Sequence, residues 1–429
     1  MRKVRALKLV TLFALISLVS AYGGVAGGSP TKPPDRGNTN GTLEIGQLAP
    51  QTGQLSNIVQ SLTTPVQMAV DEINGAGGVL GKPATLALAD DGTDPTVASQ
   101  SLDRLLNSDR VDAIMGPASS TTMLGILDKV RGAGVLDCSG STTSAELTKA
   151  KSGGYFFRTA PPDRLQGPAL SELVLKDGHS KVGLLVRNDS YGVGFGKALK
   201  QALTSGGAKV VADVAYDAEA TTFDADVQKV ANKKPDAVIV IGFNDDGAKV
   251  VKTMIGKNLG PAQIPIYTAD GMQSSKFGET VDPTNTAVVA GIKGTAPATQ
   301  PAGVQSPFLA TFQATGIDPI FSSYYYDCTV LTALAAEKAK SDDAAKMKKV
   351  FASNTKGKEQ CTTFADCKQL LSQGKTIHYE GASSTFKNMN KFGTFEPNAG
   401  VYEVWSYDTA AKAVTQPPET QIRIGGTKS

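Results

Sequence analysis

The chain has 429 residues, 41% apolar and 19% charged, the profile of a globular protein of two or three domain-sized units. A formal net charge of +3 excludes the strongly basic profile of a nucleic-acid binder, and two histidines with four cysteines leave little material for a metal cluster. Glycine is frequent at 45 residues and aromatics are few at 6%, which suits many tight turns between strands and helices.

Residues 1–21 read as an export signal. Arg2, Lys3, Arg5 and Lys8 form a basic n-region without an acid, and the apolar run over 9–21 is too short for a membrane-spanning helix, which needs about 20 residues. Removing those basic residues turns the balance of 43 basic and 40 acidic side chains slightly negative, so the mature chain has no bias toward membranes or nucleic acid. Leu18-Val19-Ser20-Ala21 resembles a bacterial lipobox, but Tyr22 stands where the lipidated cysteine would be. Either cleavage after Ala21 releases a soluble protein, or Tyr22 replaces a native lipobox cysteine. Both readings place the protein outside the cytoplasm, in the periplasm or at the cell surface. Residues 22–42, rich in Gly, Pro, Thr and Asn, read as a flexible linker.

From Leu43 a short apolar run, a turn and an amphipathic helix recur. Strands are expected over 43–48, 84–89, 113–116 and 135–138. Between them lie helices carrying Leu62, Val66, Ala69, Val70 and Ile73, then Leu102, Leu105 and Leu106, then Leu124, Leu127 and Val130. Pro95 suits a helix start, and Asn74-Gly-Ala-Gly-Gly78 a helix end. After a crossing strand at 155–157 the alternation restarts, with strands over 182–186, 209–215, 237–241 and 266–268. Helices are expected over 308–314, 324–339, 342–352 and 364–372, and a strand over 401–405. Such alternation builds parallel sheets from βαβ units, here in two runs. Parallel open sheets bind ligands beyond the carboxyl ends of their strands. The segments 49–55, 117–122, 139–143, 188–192, 243–246 and 269–273 fall there. They hold small hydroxyls, glycines, two aromatics and a few carboxylates, and no recognisable nucleophile–base pair, so the chain reads as a binding protein rather than an enzyme.

Several motifs resolve to structural roles. Asp90, Asp91 and Asp94 lack the remaining ligands of a calcium loop and read as turn and helix-entry residues. Gly192-Val-Gly-Phe-Gly-Lys197 fails the phosphate-loop pattern, because Tyr191 replaces the first Gly and Ala198 the final Ser or Thr. No metal or cofactor is expected. Export makes disulfides possible, and Cys361 and Cys367, close together in a polar stretch, form a local loop disulfide. Cys138 and Cys328 pair across the fold or stay as buried thiols.

Four segments taken together resemble the type I periplasmic binding proteins, nearest to the leucine/isoleucine/valine-binding proteins of ABC importers. They are Met68-Ala-Val-Asp-Glu-Ile-Asn-Gly-Ala-Gly-Gly-Val-Leu-Gly81, Asp90-Asp-Gly-Thr-Asp-Pro95, Gly116-Pro-Ala-Ser-Ser-Thr121 and Arg187-Asn-Asp-Ser-Tyr-Gly192. The resemblance runs in order from Leu43 to Tyr407. It implies an α/β fold of two doubly wound parallel-sheet lobes joined by three hinge crossovers, near Ala160, near Lys293 and between Phe386 and Phe395. Lobe 1 would comprise 43–160 plus 294–386, and lobe 2 161–293 plus 387–420, with 421–429 a tail. It implies a monomer that captures an amino acid with an aliphatic or small side chain and delivers it to an ABC permease in the membrane. The same fold also serves amide or urea receptors and extracellular sensors.

By that resemblance Ser120 bonds the ligand's α-carboxylate, Ser141 contributes backbone groups, and Thr143 touches both carboxylate and ammonium. Asp270 stands where the family has a Glu that neutralises the ammonium, and Tyr191 and Phe243 wall the pocket. The chain departs from the family at Ile58 and Phe243, where Tyr is common, and at Asp270, one methylene shorter than Glu. Thr93 and Ser119 stand where the nearest subgroup has a disulfide. The resemblance also puts the Cys138 strand and the Cys328 helix in one lobe, near the cleft. Read without it, Ser119, Ser120 and Thr121 would cap a helix, Asp270 would be a turn acid and Tyr191 plain packing.

Overall fold

The computed structural model describes residues 39–389 and 395–426. The export signal, Tyr22 and most of the linker lie outside the described residues. The linker's last residues do not hang free: the Asn40 and Gly41 amides donate to the Asp342 carboxylate at 2.9 and 2.6 Å.

The first sheet contains β1 (Glu44–Ala49), β2 (Thr85–Asp90), β3 (Ala113–Met115), β4 (Leu136–Ser139) and β5 (Phe156–Arg158), all parallel, in the order β2-β1-β3-β4-β5. Helices α1 (Val59–Gly75), α2 (Pro95–Asn107) and α3 (Ser120–Ala133) link its strands. In α2 the Asp94 side chain accepts from the Thr96 and Val97 amides and Pro95 opens the first turn, as its sequence requires.

The second sheet begins after α4 (Asp163–Lys176) with β6 (Lys181–Arg187), β7 (Lys209–Tyr216), β8 (Ala237–Ile241), β9 (Ile266–Thr268) and β10 (Lys293–Pro297). Its linking helices are α5 (Ser190–Ser205), α6 (Asp224–Ala231), α7 (Asn244–Gly256) and the short α8 (Phe277–Val281). Central β8, Ala-Val-Ile-Val-Ile, is buried along its whole length, as a parallel strand covered on both faces must be.

The remaining chain adds α9 (Pro307–Gln313), α10 (Ser322–Ala339), α11 (Ala344–Val350) and α12 (Phe364–Ser372), of which α10 and α11 pack on the first sheet and α12 on α10. A two-stranded sheet of β11 (Glu359–Cys361) and β12 (Ile377–Tyr379) joins them. The second sheet is completed by β13 (Ala399–Tyr407), β14 (Ala413–Thr415) and β15 (Ile422–Gly425). Helix α10 is buried from Ser322 to Ala336 and packs on α1, so its apolar pattern is not one-sided. Both disulfides form: Cys138 of β4 joins Cys328 of α10, and Cys361 of β11 joins Cys367 of α12.

Three boundaries differ from the sequence expectation. The second crossover does not occur near Lys293, because 293–297 form β10, parallel to β9 and antiparallel to β13. Gly294 lets the strand lie against the Trp405 indole, which a Cβ there would meet at 2.5 Å. The chain therefore leaves the second sheet after Pro297. Residues 387–395 do not all belong to the second lobe, since Phe395 bridges to Phe157 and its carbonyl accepts the Arg158 amide at 2.9 Å. The expected tail supplies β15, whose residues pair antiparallel with Ala399 to Tyr402. The second sheet is thus parallel in its centre and antiparallel at the β13 side, not parallel throughout.

Candidate ligand cleft

The carboxyl ends of β1, β3 and β4 face those of β6, β8 and β9 across a cleft. All six side chains expected to bind ligand line one cavity there: Ser120, Ser141 and Thr143 from the first lobe, Tyr191, Phe243 and Asp270 from the second. Leu55, Ile58 and Phe321 complete its apolar wall.

The hydroxyl wall begins where β3 turns into α3. Gly116 holds φ +117 and a Cβ there would lie 2.1 Å from the Leu48 carbonyl oxygen, so only glycine lets the loop pass this close to β1. Buried Asp91 then accepts from the Ala118 amide at 3.0 Å and the Thr93 amide at 2.7 Å. Burial pushes its pKa up to about 6. Ser119 caps α3, accepting from the Thr122 amide at 3.5 Å, so the helix start faces the cleft. The Ser120 hydroxyl accepts the Ser144 amide at 3.1 Å, which leaves its own proton to donate. Ser141 is different: its hydroxyl lies 3.0 Å from both the Ala118 carbonyl and the Tyr325 hydroxyl, so its side chain is engaged within the protein.

Arg158, wholly buried, fixes the loop that carries Thr143. Its Nη1 donates to the carbonyls of Thr142 at 3.0 Å and Ser144 at 2.8 Å, while Nε and Nη2 pair with Glu396. Arg164 also reaches Glu396, at 3.1 Å. No local signal announces this pair, because Glu396 lies 238 residues away and follows no motif.

On the opposite wall Tyr191 stacks on Phe243 with ring centroids 5.5 Å apart, and the Arg187 guanidinium lies 3.7 Å from the Phe243 centroid on the ring face. Arg187 is held by Asp189 at 2.7 Å and Asp246 at 2.9 Å, and donates across the cleft to Gln54 at 2.9 Å. Its place at the end of the apolar strand β6, opening the segment Arg187-Asn-Asp-Ser-Tyr-Gly192, is the signal that singles it out. Asp270 is buried, and burial pushes its pKa up to about 6 against hydrogen bonds from Gln166 and Tyr191. Asp163, one turn before Gln166 on α4, is a second buried acid. Its pKa is driven well up by burial and then by the Asp270 charge. Among the described residues no metal-binding cluster occurs, and no helix is long and apolar enough to cross a membrane.

Comparison with known families decides the classification: the sequence pattern of the periplasmic binding protein family matches residues 42–382. The chain belongs to this family. A Leu/Ile/Val-binding protein of Rhizobium johnstonii is 28% identical over 236 residues, which is 55% of this chain and 63% of the relative, so the match spans less than two thirds of that protein. A leucine binding protein from Thermotoga maritima has the same fold, with a TM-score of 0.71 at 19% identity, covering 89% of this chain and 99% of the other. A solute binding protein of an ABC transporter from R. palustris, solved with 4-hydroxybenzoate, superposes with a TM-score of 0.69 at 16% identity, covering 90% and 98%. The fold is therefore that of the type I periplasmic binding proteins, two α/β lobes with a cleft between them.

Proposed function

We propose that this periplasmic binding protein is the extracytoplasmic substrate-binding component of an ABC importer, and that its cleft captures a zwitterionic amino acid with an aliphatic or small side chain. The observation that carries the reading is the opposed polarity of the walls. Ser120 and the start of α3 offer hydrogen-bond donors on one side, suited to a carboxylate, and buried Asp270 offers a carboxylate on the other, suited to an ammonium. Leu55, Ile58, Phe321, Tyr191 and Phe243 leave an apolar space for the side chain. The named function of the Rhizobium relative agrees with this chemistry. Ligand contacts from both lobes favour the closed state, which is the form a permease would recognise.

A second reading takes an aromatic carboxylate, as in the R. palustris protein, with its ring against the Tyr191–Phe243 stack. Such a ligand brings no cation to Asp270, whose charge would repel its carboxylate. A neutral amide or urea would likewise leave Asp270 without a counter-charge. Mass spectrometry of material released from purified protein, with calorimetric titration of amino acids, amides and benzoates, separates these readings. Tight binding of a benzoate with no amino acid bound would overturn the first.

A further inference from the structure

Arg187 ends β6 with its side chain buried between two helix starts. Nε donates to Asp189 at 2.7 Å and Nη1 to Asp246 at 2.9 Å. Each acid also fixes a helix. Asp189 caps α5, accepting the Gly192 amide at 2.8 Å. Asp246, in the first turn of α7, accepts the Phe243 amide at 3.1 Å and the Tyr216 hydroxyl at 2.6 Å. The start of α5 carries Tyr191, Phe243 directly precedes α7, and the two rings stack as the second lobe's pocket wall. The guanidinium lies on the Phe243 ring, 3.7 Å from its centroid, and Phe243, not Arg187, lines the cavity. The third nitrogen turns the other way: Nη2 donates to Gln54 of the first lobe at 2.9 Å.

We propose that Arg187 is a positioning residue that ties the pocket wall to the closing contact, so that a filled pocket and a closed rim form one arrangement and the ligand is retained. The inference rests on the amino-acid reading of the cleft above. A guanidinium is planar and holds its donors in a fixed fork. With Nε and Nη1 pinned by the two acids and one face on Phe243, the direction of Nη2 follows the ring. A shift of Phe243 tilts the guanidinium plane and carries the Nη2 donor off Gln54, whereas a ligand packed against Phe243 holds both in place. Gln54 passes the contact along the rim to Glu219. The α5 start capped by Asp189 brings Ser190 to Thr121 and Ser144 of the first lobe. These interlobe contacts exist only when the lobes have met, so Arg187 acts on ligand escape more than on capture. Lysine keeps the charge between the acids but lacks both the planar face for Phe243 and the fixed third direction toward Gln54.

The test is stopped-flow measurement of L-leucine association and dissociation with the full-length protein. Arg187→Lys should speed dissociation about tenfold or more, the scale of a charge-assisted hydrogen bond, while the association rate stays within about threefold. In a Gln54→Ala background the Arg187→Lys effect should shrink by at least about threefold, because the two residues act through one contact. Should Arg187→Lys fail to fold, a second cycle reads the same link. Phe243→Leu and Gln54→Ala lie on opposite lobes, and their combined effect on dissociation should fall short of the product of the single effects by at least about threefold. An ion pair with a purely structural role would lower the melting temperature without coupling to Gln54. Independent effects in these cycles, or a loss carried by slower association, overturn the inference. Parent protein that binds neither leucine nor another aliphatic or small amino acid defeats the proposed function itself, whereas leucine binding with independent effects defeats this inference alone.

Discussion

Gln166 Nε2 lies 2.6 Å from Asp270 Oδ1 and donates at 2.9 Å to the Thr295 carbonyl, tying the cleft acid to β10. The amide thereby aims one oxygen of a carboxylate that burial would otherwise leave protonated near neutral pH. Replacing Gln166 with Leu should raise the Asp270 pKa further and weaken amino-acid binding at pH 7, with the loss recovered as the pH is raised. Titration of the variant across pH checks this.

The pKa of Asp270, pushed up to about 6 by burial, sets the pH dependence of the parent protein. An ammonium needs the ionised carboxylate, so affinity should be flat above the pKa and fall by up to about tenfold per pH unit below it. The stability of the empty protein should move the opposite way. A carboxyl whose folded pKa is raised above its ordinary 3.8 stabilises the fold in its protonated form, and that contribution is lost as pH rises through about 6. Asp91 and Asp327 are pushed up to about the same value and act in the same direction. Melting curves of the empty protein between pH 4 and pH 7, with leucine titrations alongside, check both signs.

Closure is held at the rim by polar contacts between the lobes. Gln54 accepts from Arg187 and donates to Glu219, Thr121 and Ser190 share a hydroxyl contact at 2.9 Å, and Ser144 donates to the Ser190 carbonyl at 2.8 Å. Gln54→Ala should weaken ligand by about two- to tenfold, the worth of one or two hydrogen bonds, and mainly through faster dissociation. Stopped-flow measurement of both rate constants tests this, and an unchanged dissociation rate would remove Gln54 from the closed-state contacts.

The buried Arg158–Glu396 pair couples the ligand loop to the third crossover. Glu396→Gln leaves a buried guanidinium without its counter-charge and should cost about 3–5 kcal/mol of stability. Chemical denaturation measures that loss. A variant as stable as the parent would mean that the Thr142 and Ser144 carbonyls and the Thr148 hydroxyl suffice to hold Arg158.

Much of the scaffold was legible because its signals are local. The unbroken apolar run of β8, the Asp94-Pro95 start of α2 and the Ser119 cap of α3 each name their structure within a few residues. The six ligand-side residues came from a family resemblance, and they converge on one cavity. What escaped the sequence is long-range. Glu396 meets Arg158 only through the fold, and Arg187 meets Gln54 only across the cleft. The crossover implied near Lys293 by the family resemblance falls after Pro297, because Gly294 packs closely on Trp405 and 293–297 pair with β13.

In the proposed function the cleft binds an amino acid through its ammonium on Asp270. Its most direct test is calorimetric titration of the parent and Asp270→Asn at pH 7.5 with L-leucine and the other aliphatic and small amino acids. Asparagine keeps the shape and one acceptor but removes the charge, so every amino acid that binds the parent should bind the variant at least about tenfold more weakly, since a charge-assisted bond contributes about 1.5–3 kcal/mol. Equal affinities in the two proteins would contradict the claim.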